Sequence, residues 1–391
     1  MISYQKKKKN LVVGCGLSGA VLAERLASIL DEDVLIMDKA PCLGGMIYDY
    51  KEDGIFVHKF GSHVFHTNFE YVFKYLNKFS DFIPYMHKEA ALAEGNFISL
   101  PFNLNSIYNV FPKKLAERLE NKLIKKYGWG EKVSILDIKT KPFFWDKDLD
   151  FLASYIYENV FIHYANKKWD RRDLDLSNVC VHVNRDDRTF NDKYQGIFKE
   201  GYTKLIENIL NHKNIKILLD VNFKNIDASG FDRIFYTGSI DEFFDYKFGM
   251  LQYRSARFEI SKIENEFYQK TGVVKYPNNY DFIKIHEFKH YSDAKTSNTV
   301  IAREYVSDYL QNNDTERVYP VYSKRNADIF KQYKIEAKKL KDVYFLGRLG
   351  DFKNYSMDMA AKRAFEVFEN VRLKSVLEEN TLFEDEQLIV K

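Results

Sequence analysis

Six residues near the start of the chain constrain its fold more than any others: Gly14-Cys15-Gly16-Leu17-Ser18-Gly19. They stand between an apolar run at 10–13 and a stripe of Leu22, Leu26 and Leu30 with Ala23 and Ala27. The run reads as a strand and the i, i+4 stripe as a helix. In such a turn the first glycine bends the chain, the second admits a pyrophosphate, and the third lets helix and strand pack closely. The helix then points unpaired N–H groups and a partial positive charge at the phosphates. A second apolar run, 34–37, ends in Asp38, nineteen residues after Gly19, where a carboxylate can accept bonds from ribose hydroxyls. The opening forty residues therefore predict a βαβ unit that binds a dinucleotide; the alternative is an ordinary glycine turn capped by Ser18. The fingerprint does not separate NAD from FAD. Gly44-Gly45 soon after the carboxylate, and no second mononucleotide half, favour FAD.

Composition narrows the rest. The 391 residues correspond to two or three units, at roughly 150 residues each. Hydrophobic residues make up 45%, and 27 Tyr and 32 Phe supply ample apolar surface for a folded core. A net charge of +3 is too small for a general grip on nucleic acid, so an anionic ligand must be held locally. Cys15, Cys42 and Cys180 are odd in number and lack metal-ligand spacing, which predicts free thiols in a reducing compartment. Lysines at 6–9 before an apolar stretch imitate a secretory signal, but glycines interrupt that stretch and it runs into Glu24 and Arg25. No run reaches the roughly 18 apolar residues of a membrane span, so the expected location is the cytoplasm.

Amphipathic patterns predict helices over 112–127 and 149–164, a helical insertion, and a closing helix over about 357–377. Apolar runs at 216–219, 233–236, 257–260, 299–302 and 343–346 read as strands. With no linker visible, the domains are expected to interleave. The boundaries are 1–80, 196–245 and 335–391 for a cofactor domain, 105–168 for the helical insertion, and 81–104, 169–195 and 246–334 for a sheet domain that holds substrate.

The segment His58-Lys59-Phe60-Gly61-Ser62-His63-Val64-Phe65-His66-Thr67-Asn68 closely resembles a signature of bacterial UDP-galactopyranose mutases. Further blocks follow in that family's order. They are Leu100-Pro101-Phe102-Asn103, Lys168-Trp169, Asp192-Lys193-Tyr194-Gln195-Gly196, Gly201-Tyr202-Thr203-Lys204-Leu205, Asp245-Tyr246-Lys247-Phe248-Gly249, Tyr253-Arg254-Ser255, Arg303-Glu304-Tyr305, Tyr319-Pro320-Val321 and Gly347-Arg348-Leu349. The resemblance covers nearly the whole chain. It implies an α/β fold with a Rossmann-like FAD-binding domain, an interleaved helical insertion and a mixed, antiparallel substrate sheet. It also implies an isomerase that interconverts pyranose and furanose forms of a nucleoside-diphosphate sugar, supplying furanose for surface polysaccharide. Reduced FAD is the active form: its N5 attacks the anomeric carbon, displaces the nucleoside diphosphate, and the sugar recloses on another hydroxyl without net oxidation. A chain with no nucleophilic triad suits that chemistry.

By position in these motifs, Gly14, Gly16, Ser18, Gly19, Asp38, Lys39, Gly45, Met46, Gly61, Ser62, His63, Val221, Gly238, Gly347, Arg348 and Met357 are expected at the cofactor. His63, His66, Arg254 and Arg348 are the expected catalytic groups, with Arg348 at a strand end touching flavin and leaving phosphate. Phe102, Asn103, Phe161, Tyr164, Trp169, Arg254, Lys284, Glu304, Tyr319 and Asn354 are expected at the nucleotide sugar, with Tyr164 under the base and Trp169 beside the sugar. Each has a plainer alternative. The histidines can be hydrogen-bonded core rings, Arg254 and Lys284 structural ion pairs, and the aromatics core packing. A metal between His63 and His66 lacks a matching carboxylate or thiol set, so none is expected.

The match fails at one end. The arginine of the family's mobile loop falls on Asn178, tyrosines fall on Thr189 and Asn354, and an arginine falls on Lys284, with Arg171 or Arg172 as substitutes nearby. Lysine does not reproduce a bidentate phosphate contact. The flavin motifs are intact, so the sugar nucleotide is expected to differ from UDP-galactopyranose. Two other classes compete: a flavin oxidoreductase like the amine oxidases, marked by electron transfer to oxygen, and a non-catalytic nucleotide-sugar binder. Family members are often homodimers, for which this sequence carries no feature of its own.

Overall fold

The computed structural model describes residues 7–139, 146–169, 176–310 and 316–389, with side chains through 376. Strand β1 (Lys9–Val13), helix α1 (Leu17–Ile29) and strand β2 (Asp33–Met37) form the βαβ unit. β1 pairs in parallel with β2 on one side and with Arg233–Tyr236 on the other. Ile215–Leu218 and Val343–Phe345 complete a five-stranded, all-parallel sheet at its two edges. Because both faces are covered, β1 reads as a continuous apolar run instead of alternating. Leu22 and Leu26 of α1 pack against Ala361 and Ala364 of the closing helix, Met357–Ile389, in the largest apolar cluster. The sheet therefore draws its strands from three remote stretches of chain.

A seven-stranded mixed sheet forms the second layer, in the order 317–320, 253–263, 299–308, 284–287, 273–275, 89–93 and 96–100. The apolar runs at 257–260 and 299–302 are the middle and start of two long antiparallel strands, Tyr253–Ile263 and Thr299–Asp308. Their register carries on through the sheet: Glu304 lies opposite Lys284, and Lys284 opposite Lys275. Opposite residues share a face, so a row of charge crosses one side of this sheet.

The helical insertion contains Lys113–Tyr127, with Pro112 at its N-cap. The second expected helix runs on to Trp169 and is widened on the way: Lys147–Tyr155, a π-helical turn at Ile156–Phe161, then Ile162–Trp169. Leu119, Leu123, Leu149 and Leu152 bury the inner faces of the insertion. Among the described residues no helix is long and apolar enough to cross a membrane.

Candidate active site

A cavity of about 740 Å³ runs from the glycine turn to the edge of the seven-stranded sheet, a size usual for cofactor sites. Gly14 has φ +110, and Thr237 stands 1.9 Å from where a Cβ would be; a Cβ on Gly19 would meet the Gly14 carbonyl at 2.0 Å. Both positions exclude a side chain, so strand and helix close up as the glycine spacing requires. The N-cap of α1 is Gly16, which has no side chain to cap the helix. Ser18 is no cap either, since its hydroxyl donates to the Ala360 carbonyl at 3.1 Å. The first turn of α1 therefore presents free N–H groups to the cavity. Asp38 accepts from the N–H of Cys15 at 2.7 Å and of Ala40 at 2.9 Å, which fixes its carboxylate on the wall with lone pairs to spare.

Farther along the wall, Gly61, Ser62 and His63 make a turn below the sheet. His63 Nδ1 lies 2.7 Å from the Gly61 carbonyl. A carbonyl only accepts, so the neutral ring carries its proton on Nδ1 and leaves Nε2 as an acceptor. Burial, with the Arg348 charge adding to it, pulls His63 down to about 4. Its own N–H donates to Nδ1 of His58 at 2.9 Å, and the Ser62 N–H donates to Nδ1 of His286 at 3.0 Å. His66 is also on the wall; its Nδ1 is 2.8 Å from Asp192 and its ring stacks on Phe190 at 3.7 Å.

Arg348 follows Leu346 in a short turn, Gly347–Gly350, just after the edge strand. Its guanidinium donates to the Val318 carbonyl at 2.5 Å and to the Asn354 side chain at 2.9 Å, both uncharged acceptors. Among the described residues no carboxylate pairs with it. Burial pulls its pKa below the usual arginine value, as expected of a cation lacking a counter-ion.

The charged row of the sheet closes the far end. Glu304, 1% exposed, has Lys284 Nζ at 3.2 Å and His286 Nε2 at 3.0 Å, and accepts from the Tyr319 hydroxyl at 2.7 Å. Burial pushes its carboxyl up, but Lys284 and His286 overcome this and hold it well below the usual carboxylate range. Burial would likewise lower Lys284, yet Glu304 keeps it well above its ordinary value. Beside them Lys275 pairs with Glu89 at 2.6 Å.

Of the residues expected at the cofactor, all but Gly61 line the cavity, and a Cβ on Gly61 would meet Phe258 and His286, the latter itself on the wall. The expected sugar-side residues divide. Lys284 is on the wall, and Glu304 and Tyr319 stand behind it through the contacts above. Trp169 lies edge-on to Tyr319 at 5.6 Å, and Tyr164 has Lys275 over its ring at 5.6 Å. Asn354 holds Arg348. Phe161 ends the π turn, half-buried and away from the wall.

Three expectations are corrected by the packing. Phe102 belongs to the apolar core of the helical insertion. Asn103 is fully buried as the N-cap of Leu104–Val110, accepting from the Ser106 N–H and donating to Asp186 and Asp187, so its side chain is committed. Arg254, expected to be catalytic, pairs with Asp308 and donates to the Lys167 carbonyl at 3.0 Å. It pins the end of Ile162–Trp169 to the sheet and is absent from the wall. Arg171 and Arg172 lie outside the described residues. Sequence reasoning left His286, Glu89 and Lys275 unassigned. The two-residue spacing of Lys284 and His286 on one strand was a usable signal for the first. The three cysteines are free thiols, Cys15 being buried, and the described residues hold no cluster able to ligate a metal.

These features fit a dinucleotide: an uncapped helix start and a carboxylate with lone pairs to spare at one end of the cavity, and farther on an arginine without a counter-ion among the described residues. Comparisons with known proteins agree. A family model described as UDP-galactopyranose mutase matches residues 159–354, and one described as an NAD(P)-binding Rossmann-like domain matches 12–79. A dTDP-fucopyranose mutase of Escherichia coli is 33% identical, with 92% of this chain and 97% of that protein covered. A probable UDP-galactopyranose mutase of Klebsiella pneumoniae is 31% identical over 91% of this chain and 93% of its own length. In three dimensions the chain resembles a reduced UDP-galactopyranose mutase, with a TM-score of 0.70 over 94% of both chains at 13% identity. It also resembles a putative protoporphyrinogen oxidase from Exiguobacterium, with a TM-score of 0.61 at 11% identity and 95% and 100% covered. At those identities the two solved structures speak for the shared fold alone. With a relative of 33% identity aligned over 92% of this chain, the chain belongs to the UDP-galactopyranose mutase family of isomerases, whose members depend on FAD.

Proposed function

We propose that this enzyme binds FAD along the cavity and interconverts the pyranose and furanose forms of a nucleoside-diphosphate sugar other than UDP-galactopyranose. The observation that carries the reading is Arg348: a guanidinium on the cavity wall with only neutral partners among the described residues. An anionic leaving group supplies the missing charge. Reduced flavin, when bound, supplies an electron-rich ring nitrogen as the nucleophile toward the anomeric carbon.

The chain's own groups do the rest. The N–H groups of α1 and the Asp38 carboxylate would hold the phosphates and ribose of the cofactor. The 61–63 turn, locked by His58 and His286, gives the flavin ring a fixed seat, and His63 offers a neutral Nε2 acceptor toward the cavity. Arg348 stabilises charge on the departing diphosphate, and Asn354 keeps the guanidinium aimed. Glu304, ionised behind the wall, keeps Lys284 charged and in place at the cavity.

Lys284, Asn178, Thr189 and Asn354 stand where the family's signature carries arginine or tyrosine, and the E. coli relative is a dTDP-fucopyranose mutase. Both support a substrate with another base or a deoxygenated sugar. Incubating dithionite-reduced enzyme with a panel of UDP-, GDP- and dTDP-hexoses, dTDP-fucopyranose included, is expected to give a furanose product from one that is not UDP-galactopyranose. Full turnover of UDP-galactopyranose with no better substrate would refute the choice of sugar. Oxygen-coupled turnover, with equal activity of oxidised and reduced enzyme, would refute the mutase mechanism.

A further inference from the structure

Lys275 and Lys284 are register partners on adjacent strands, so both leave the same face of the sheet. Each leans on a carboxylate, Lys275 on Glu89 and Lys284 on Glu304. A third lysine, Lys168, reaches this group from the last turn of Ile162–Trp169. Its ammonium lies 4.4 Å from the ring centre of Tyr319 and 5.0 Å from that of Trp169. Aromatic faces hold a cation without neutralising it, and no carboxylate pairs with Lys168 among the described residues.

The charges at this corner do not balance. Lys168, Lys275, Lys284 and Arg348 face Glu89 and Glu304, while burial keeps His286, Tyr164 and Tyr319 uncharged near neutral pH. His87 touches Glu89 at 3.5 Å. Arg254, which holds the same helix end, is answered by Asp308. Across these named groups the four cations exceed the two carboxylates by the charge of a diphosphate diester. Burial, reinforced by the Lys284 charge, pulls Lys168 down to about 7, which marks it as the cation most in need of an anion.

We propose that Lys168 is a diphosphate ligand of this enzyme, closing with Lys284 and Arg348 on the leaving nucleoside diphosphate. The assignment rests on the nucleotide-sugar reading of the site and names the group that completes its charge. An ammonium on a flexible stem donates to a non-bridging phosphate oxygen as a point charge, with no need for a planar fork.

The test is binding of UDP-galactose and dTDP-glucose to the oxidised full-length holoprotein, whose diphosphates stay doubly charged throughout. Wild-type affinity is expected to fall about tenfold between about pH 6 and about pH 8.5, as Lys168 loses its proton. Lys168→Arg, which stays charged, should flatten that fall. Lys168→Met should bind about tenfold more weakly at about pH 6 and also show a flat profile. Lys168→Met binding as tightly as wild type, or Lys168→Arg keeping the wild-type pH slope, overturns the role of Lys168 and leaves the nucleotide-sugar reading standing. Wild-type protein that binds neither these probes nor any other member of the UDP-, GDP- and dTDP-hexose panel at any pH overturns both. Flavin content of each variant reports whether the fold is kept, and if the Met variant loses it, the slope of the Arg variant decides.

Discussion

The backbone N–H of Ser62 donates to Nδ1 of His286 at 3.0 Å, so the imidazole proton sits on Nε2, 3.0 Å from Glu304. One buried ring thereby ties the turn at the cofactor to the carboxylate at the sugar end. His286→Phe strips a partner from the Ser62 N–H and another from Glu304. Each buried polar group left alone costs about 1–3 kcal/mol, so the thermal midpoint should drop clearly while His286→Gln recovers part of it. Equal midpoints for the Phe variant and wild type would reject the link.

Arg348→Ala should leave the protein yellow, because the glycine turn and Asp38 hold the cofactor without it. Turnover is expected to fall by about a hundredfold or more, the usual loss when a donor to a developing charge is removed. Steady-state kinetics beside a flavin absorbance spectrum separates the two effects. Near-normal turnover would take Arg348 out of the mechanism.

Asp38→Ala acts at the other end of the cavity. The carboxylate fastens the Cys15 and Ala40 N–H groups and offers its remaining lone pairs to a ribose. The flavin-to-protein ratio after purification should fall well below that of wild type, and added FAD should restore activity. A full complement of tightly held flavin would contradict the assignment.

His63 gives a dependence on pH whose sign follows from its lowered pKa. Its proton is bound at about 4 in the folded chain and at about 6.5 when unfolded. The unfolded chain therefore takes up more protons between those values, and the folded state loses stability as pH falls through that window. His63→Gln should make the fall of the thermal midpoint from about pH 6.5 to about pH 4 shallower. An unchanged slope would mean that His63 does not titrate in this way.

Local pattern made the cofactor end of the site legible. Strand, glycine turn, helix and Asp38 lie within thirty consecutive residues, and their spacing is dictated by the backbone geometry they produce. The sugar end depends on register across several strands, one of them, 89–93, remote in the chain from the rest. Lys284 follows Lys275 by nine residues and faces it on the next strand, but nothing near Lys275 in sequence says that Glu89 will neutralise it. Arg254 misled for the same reason, since its partner Asp308 comes from the neighbouring strand, fifty-four residues away. Asn103 could have been read correctly: Asn103 followed by Ser106 at the start of a helical pattern is a cap, and the structure uses it so.

Because the parallel sheet takes its last strand from Val343–Phe345 and its supporting helix from Met357 onward, the site is finished only by residues beyond 342. A chain cut before Val343 keeps the glycine turn but lacks Gly347 and Arg348, which line the same cavity. Truncation before Val343 is thus expected to strip the parallel sheet of an edge strand and uncover the apolar face of α1, leaving an open core instead of a weakened enzyme.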